Sequence, residues 1–236
     1  MSAKIITLRR PSNGAWDDET RRRYLRDVLT PAVEAINAGG LVIVPTETVY
    51  GLAADARNEP AVERVFATKG RDTHVPLPIQ VPTIEEALAC AEEIGDSAEH
   101  LMRTLMPGPL TVVVKKSAAI PDVVTAGSPS VGIRIPDHCV ALELLRLCGC
   151  PLVMTSVNRS GEPPITTAAT ACAFFGDKVD VIIDGDACED FRCGVGIAST
   201  VIDLTQRPPE LLRLGPVSVD TLRRFLPDLS VKCFIE

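Results

Sequence analysis

The chain has 236 residues, 46% of them hydrophobic, and a formal net charge of −7. That hydrophobic share excludes a disordered chain, the length suits one large domain with a real core, and the acidic balance makes a poor general nucleic-acid binder, whose affinity would come from Lys and Arg, while leaving room for a local basic patch. No apolar run reaches the roughly 18–20 residues of a membrane span and the start MSAKIITLRR lacks the apolar centre of a signal peptide, so a cytoplasmic protein with no membrane contact is expected.

Residues 1–14 read as a strand and a loop, and Thr20–Val28 is helical in composition. Thr30-Pro31 reads as an N-cap and a first-turn proline, opening a helix to about Ala38 that Gly39-Gly40 stops. Leu41–Val44 is a buried strand and Thr48–Ala53 a candidate second. Glu59–Thr68 carries Val62, Val65 and Phe66 at helical spacing. Leu77–Val81 alternates with prolines, which predicts an edge strand. Ile84–Met106 holds one or two helices, Leu110–Val114 and Val131–Ile135 are strands, Cys139–Leu147 is an amphipathic helix and Leu152–Thr155 a strand. Helix Thr167–Phe175, strands Val179–Ile183, Thr200–Leu204 and Glu210–Leu214, and helix Val219–Phe225 complete the pattern. Strands interleaved with helices predict a layered α/β arrangement of the α+β class, with a mixed sheet because some adjacent strands have no helix between them.

The eight cysteines, Cys90, Cys139, Cys148, Cys150, Cys172, Cys188, Cys193 and Cys233, form no C-x-x-C pair and no zinc pattern. They are expected to be small buried groups in a reducing compartment. Walker A, G-x-G-x-x-G and G-x-S-x-G patterns are absent, which removes support for serine-hydrolase and Rossmann readings.

Two segments carry the chemistry. PTETVYG at Pro45–Gly51 places polar groups at the end of an apolar strand, and Lys69-Gly70-Arg71 closes the following helix with two cations. Such cations either complement the helix C-terminus, worth about 0.3–1 kcal/mol, or serve a polyoxygen anion. Thr155-Ser156-Val157-Asn158, with Ser160-Gly161, lies just past a buried strand, where it either caps a turn or lines a ligand crevice. Arg134 interrupts an apolar strand and needs an ion-pair partner or a cleft. Ser199-Thr200 opens one strand and Arg213 ends another, while Tyr50 reads equally as ligand contact or core.

Taken together, GGLVIVPTETVYGLAAD, AVERVFATKGR, PGPLTVVV, VGIRIPDH, PLVMTSVNRSGEPP, ASTVID and ELLRLGPVS resemble, in this order from about Ala32 to Phe225, the YrdC family of threonylcarbamoyl-AMP synthases. The resemblance implies a twisted, mixed open sheet flanked by helices around a large concave cavity. It divides the chain into an N-terminal extension (1–30), the YrdC-like domain (31–226) and a C-terminal tail (227–236), without the additional C-terminal domain of longer members. It implies that L-threonine, bicarbonate or CO2, and ATP give threonylcarbamoyl-AMP and pyrophosphate. A separate tRNA threonylcarbamoyl transferase complex would then use the product, so that contact with tRNA is weak or indirect. Mg²⁺ is expected to arrive with ATP, held largely by the phosphates, with no protein metal site.

By the same resemblance, Lys69 and Arg71 are the catalytic cations. Thr46, Thr48, Gln80, Arg134 and Ser199 face threonine and its carbamate. Arg71, Ser130, Ser156, Asn158 and Arg213 face the nucleotide. The chemistry suits these types: a carbamate must approach an α-phosphate, and cations offset the repulsion. The chain departs from the pattern at Val75-Pro76-Leu77-Pro78-Ile79-Gln80, where many members read N-P-L-I-V-H. Val75 thus stands for an asparagine facing the nucleotide. Gln80 stands for a histidine near the amino acid, and can still donate and accept hydrogen bonds. The competing readings are a non-catalytic module binding tRNA or double-stranded RNA, and a domain that forms an adenylate from carbamoyl phosphate.

Overall fold

A computed structural model describes residues 2–10, 16–159, 162–194 and 196–231. The elements in chain order are β1 (Lys4–Thr7), α1 (Asp18–Val28), α2 (Thr30–Asn37), β2 (Val42–Val44), β3 (Gly51–Asp55), α3 (Glu59–Lys69), β4 (Ile79–Gln80), α4 (Ile84–Ala89), α5 (Asp96–Leu105), β5 (Leu110–Lys115), α6 (Asp122–Thr125), β6 (Ser130–Arg134), α7 (Cys139–Cys148), β7 (Leu152–Ser156), α8 (Ala168–Phe175), β8 (Val181–Asp184), β9 (Thr200–Asp203), β10 (Glu210–Arg213), α9 (Val219–Arg223) and β11 (Ser230–Val231). One mixed sheet runs in the order β1-β8-β2-β3-β7-β4-β6-β5-β9-β10-β11. The predicted layered α+β fold with a mixed sheet is what the chain forms.

The alternation of side chains along each strand explains where the cavity lies. In β2, β7 and β8 both faces are apolar. Val42, Val44, Leu152, Met154, Val181 and Ile183 pack with residues of α1, α2 and α7 on one side. Ile43, Val153 and Ile182 join the larger core on the other. In β4, β5, β6 and β9, one face stays apolar through Ile79, Val112, Ile133 and Ile202. The opposite face carries Gln80, Thr111, Arg134 and Asp203, and it walls an open cavity. Half of the sheet is therefore sandwiched and the other half has one uncovered polar face.

Three local expectations are corrected. Thr30 does not cap α2: Leu29 holds the cap position with no side-chain bond, and the Thr30 hydroxyl donates to the Arg26 carbonyl at 3.2 Å. The second strand starts at Gly51 rather than Thr48, because the Thr46 hydroxyl captures the amides of Thr48 and Val49, each at 3.2 Å, and folds that stretch into a turn. The proline-flanked β4 is an interior strand between β7 and β6, not an edge. It is only two residues long, so the prolines lie outside its ladder, and the Pro78 carbonyl still accepts from Met154 N at 3.1 Å.

Residues assigned to an N-terminal extension are part of the same body. β1 pairs in parallel with β8 from Lys4↔Val181 to Thr7↔Asp184. Trp16 meets Tyr24 and Phe191 edge-on and donates from Nε1 to Asp190 at 2.8 Å. The seven described cysteines are free thiols. Burial pushes Cys148 up to about 12 and Cys90, Cys150 and Cys193 up to about 11, which makes them poor nucleophiles at neutral pH. Cys233 lies outside the described residues.

Candidate active site

The uncovered face of the sheet and the loops around it enclose a cavity of about 450 Å³, within the range usual for small-molecule sites. At one end stands the turn before β3. Thr46 Oγ1 donates to the Val49 carbonyl at 2.6 Å, so the 2.9 Å contact between the two hydroxyls is a donation from Thr48 to Thr46. That leaves Thr48 Oγ1 to accept from Arg134 Nη2 at 3.0 Å. The same Nη2 meets Glu47 Oε1 at 2.7 Å, and Arg134 Nε donates to the Gly108 carbonyl at 3.2 Å. Three of the five guanidinium hydrogens are thereby used to fix the group, and the two on Nη1 remain for a ligand. Thr46, Thr48 and Arg134 are each at most 5% exposed, so this end of the cavity is held rigidly by its own hydrogen bonds.

Next to it, Ser199 Oγ lies 2.8 Å from Thr111 Oγ1 and accepts from Arg213 Nη2 at 3.2 Å, while Arg213 Nε donates to the Ser199 carbonyl at 2.9 Å. Gln80 shares a register pair with Arg134 and lines the same end. Its buried Oε1 has no partner among the described residues, an acceptor aimed at whatever donor a ligand brings. Burial lowers the hold of Arg213 on its proton, and Arg134 and Arg71 lower it further. The three guanidinium groups together give a field that suits a ligand with several anionic oxygens.

The Lys69-Gly70-Arg71 motif is split by its glycine. α3 begins with the Asn58 side chain accepting from Ala61 N at 3.2 Å and ends at Gly70, whose φ of 59° lies in the left-handed region that side-chain-bearing residues avoid. Arg71, past the turn, lines the cavity and donates from Nη2 to the Pro76 carbonyl at 2.9 Å. Lys69, before the turn, points instead into the wall. Its Nζ donates to the Ser156 carbonyl, to the Asn158 carbonyl at 3.2 Å and to Asn158 Oδ1 at 2.9 Å. With no carboxylate paired to it among the described residues, burial pulls this ammonium down to about 8, and Arg71 adds to the fall.

Of the residues singled out in the sequence, Thr46, Thr48, Arg71, Gln80, Ser130, Arg134, Ser156, Ser199 and Arg213 line one cavity. Lys69 and Asn158 do not: they form the support behind Ser156, which donates to Asn158 Oδ1 at 2.7 Å. Ser130 is steadied by Ser128 at 3.0 Å. Ser160 and Gly161 lie outside the described residues. Tyr50 is core, fully buried, donating to Asp186 at 2.8 Å. Sequence reading missed Glu47, Thr111 and Asp203. Thr111 and Asp203 are polar residues within the apolar runs LTVVV and TVID, and that interruption was the available signal; Glu47 lay among the polar groups of PTETVYG.

The loop after Phe191 straps over the Thr46–Thr48 turn, with Gly194 N donating to the Thr46 carbonyl at 2.9 Å and Gly196 N to the Thr48 carbonyl at 2.8 Å. A Cβ at Gly194 would sit 1.6 Å from the Glu47 carbonyl oxygen, a backbone clash that no rotamer relieves. Gly194→Ala is expected to destabilise the protein by at least about 2 kcal/mol, a fall of about 4–8 °C in Tm for a chain of this size. An unchanged melting curve in calorimetry would show that the strap is loose.

The family model of Sua5, YciO and YrdC, described as "Telomere recombination", matches residues 34–215. The threonylcarbamoyl-AMP synthase of Pyrococcus abyssi is 41% identical over 196 residues, covering 83% of this chain and 56% of that protein. A putative threonylcarbamoyl-AMP synthase of Mycobacterium tuberculosis is 37% identical over 210 residues, 89% of this chain and 92% of that one. The crystal structure of P. abyssi Sua5 complexed with L-threonine matches the fold with a TM-score of 0.84 and 37% identity, covering 97% of this chain and 62% of that one. The chain thus spans little more than half the length of the archaeal relative and nearly all of the mycobacterial one.

Proposed function

Because this chain belongs to the Sua5/YciO/YrdC family, we propose that it is a threonylcarbamoyl-AMP synthase, converting L-threonine, bicarbonate and Mg²⁺-bound ATP into L-threonylcarbamoyl-AMP and pyrophosphate. The observation that carries the reading is one cavity lined by three arginines, Arg71, Arg134 and Arg213, with Arg134 fixed beside the Thr46–Thr48 turn by Thr48 and Glu47. The threonine carboxylate sits against the Nη1 hydrogens of Arg134, and the Thr48 and Ser199 hydroxyls flank it. Gln80 Oε1 accepts from the hydroxyl or amine of the amino acid.

Bicarbonate takes up a proton and loses water to give CO2, the neutral amine of threonine adds to that CO2 and releases a proton, and the new carbamate oxygen attacks the α-phosphorus of ATP. The bond from that phosphorus to the bridging oxygen breaks, and pyrophosphate leaves with its Mg²⁺. Arg71 and Arg213 offset the repulsion between carbamate and phosphate, and Ser130 offers its hydroxyl to the phosphate oxygens, while Ser156, its hydrogen committed to Asn158 Oδ1, lines the same space. No protein nucleophile is needed; holding the reactants in line supplies up to about 7–11 kcal/mol, and fixed cations stabilise the charge that builds up. Mg²⁺ comes as part of the ATP substrate. The product then passes to a separate transferase acting on tRNA. Among the described residues, no helix is long and apolar enough to cross a membrane.

The test is a mixture of purified protein, Mg²⁺-ATP, bicarbonate and each of a panel of amino acids, read by mass spectrometry. Threonylcarbamoyl-AMP and pyrophosphate should form in equal amounts and only when threonine and bicarbonate are both present. Product formed with carbamoyl phosphate instead of bicarbonate, or none at all, defeats the reading.

A further inference from the structure

Asp203 stands apart in this cavity. It is the one acidic side chain among the lining residues, which also include three arginines, and yet it is paired with none of them. Instead its Oδ1 accepts from Thr205 N at 2.8 Å and from Thr205 Oγ1 at 2.6 Å, which sets the plane of the carboxylate. Its Oδ2 has no hydrogen-bond partner among the described residues. A carboxylate oriented by its own turn, rather than neutralised by a nearby guanidinium, is kept available as an acceptor.

Its position is given by strand register. Asp203 ends β9 opposite Val113 of β5, which in turn faces Gly132 of β6. Ser199, beside the arginine-closed end, precedes it by four residues, about 13 Å along an extended strand. That separation is longer than an amino acid. Val201 lies between the two poles, and Val113 and Gly132 flank Asp203 across the neighbouring strands, so the floor there is apolar. A group reaching Asp203 must therefore belong to the larger substrate. It is not a phosphate, which a carboxylate repels and which the arginines already attract. A neutral part of the nucleotide with two adjacent donors fits best, as carboxylates that take ribose hydroxyls do in dinucleotide-binding folds.

We propose that Asp203 accepts the ribose hydroxyls of the nucleotide and makes this site selective for ribonucleotide over 2′-deoxyribonucleotide triphosphate. The assignment rests on the synthase reading above. It makes Asp203 a specificity residue that touches substrate away from the reacting atoms, so its removal moves nucleotide KM and leaves kcat and threonine KM nearly unchanged.

The experiment compares ATP with 2′-deoxy-ATP in the unaltered protein, in Asp203→Asn and in Asp203→Ala. It uses pyrophosphate release for kinetics and calorimetry, without threonine, for binding. The unaltered protein should favour ATP by ~10-fold or more in kcat/KM and in affinity, the weight of one hydrogen bond to a charged acceptor. Asp203→Ala should lose that factor for ATP but change by less than about twofold for 2′-deoxy-ATP, so that discrimination disappears. Asp203→Asn preserves shape and the melting temperature and should fall between. Equal losses for both nucleotides, or a shift in Mg²⁺ dependence instead, would overturn the assignment and point to the base or the metal. Equal binding of ATP and 2′-deoxy-ATP by the unaltered protein overturns it as well and leaves the synthase reading standing; no binding of either nucleotide overturns both.

Discussion

In Lys69→Ala, adenylate formation is expected to fall by at least ~100-fold, the equivalent of about 2.7 kcal/mol of transition-state stabilisation. The ammonium is 3% exposed and holds three oxygens of the 156–158 segment. Its removal leaves buried acceptors unpaired, at about 1–3 kcal/mol each, and releases the turn that aims Ser156 into the cavity. Lys69→Arg should not restore activity, because a planar fork cannot replace a point charge gripped from three sides.

The pH dependence carries the same prediction further. Burial first, and Arg71 second, bring Lys69 down to about 8 from its ordinary value of 10.5. Its folded value is the depressed one, so between about pH 8 and 10.5 the unfolded chain binds more protons, and this group's contribution to stability rises with pH across that window. Below about 8 the charged form is present and its burial is an undiminished penalty. Activity should move the opposite way, falling as the ammonium is lost, with an alkaline limb in kcat/KM near pH 8. In Lys69→Arg the residual activity should lack that limb. A limb that persists unchanged there belongs to another group, and Lys69 is then not the titrating residue.

Arg134→Ala is the second large effect, and it should strike stability and threonine recognition together. Arg134 is 5% exposed, and its loss leaves the Glu47 carboxylate with only the Asp137 amide on Oε1 and, among the described residues, no partner on Oε2. Breaking such a pair costs about 3–5 kcal/mol, which corresponds to a fall in Tm on the order of 10 °C. Threonine KM should rise at least ~100-fold, as a bidentate charge-assisted contact disappears, while ATP KM changes far less. Glu47→Gln separates the two roles. Arg134 keeps Thr48 and the Gly108 carbonyl, so the protein stays folded, and threonine KM should rise by only ~10-fold. If Arg134→Ala instead raises ATP KM and spares threonine, the assignment of the two ends of the cavity is reversed.

Much of this was legible beforehand, and the misses have physical causes. Apolar runs ended by polar turns located most strands and helices, because alternation and capping chemistry act within a few residues. The Thr46 hydroxyl was harder to read, since a side chain that captures backbone amides competes with the strand its neighbours favour. Prolines around Leu77–Val81 pointed to an edge, yet the ladder needs only the two residues Ile79 and Gln80, and both neighbouring strands accept so short a partner. Asp203 was passed over as a site residue because a carboxylate at a strand end usually serves the next turn, as its Oδ1 does here. The other oxygen matters only once three strands are laid side by side.

The sequence by itself determined the family, the alternating pattern of the strands and the residues from Thr46 to Arg213 that gather at the cavity. Those choices rest on local geometry and on side-chain chemistry carried by short motifs. Only the tertiary structure decided which of two cations separated by one glycine faces the cavity. Gly70 turns the chain in the left-handed region and sends Arg71 into the cavity. Lys69 stays on the helix, where three oxygens from a segment nearly ninety residues away claim all its donors. No spacing rule contains that outcome, because it depends on where the 156–158 turn lies in space.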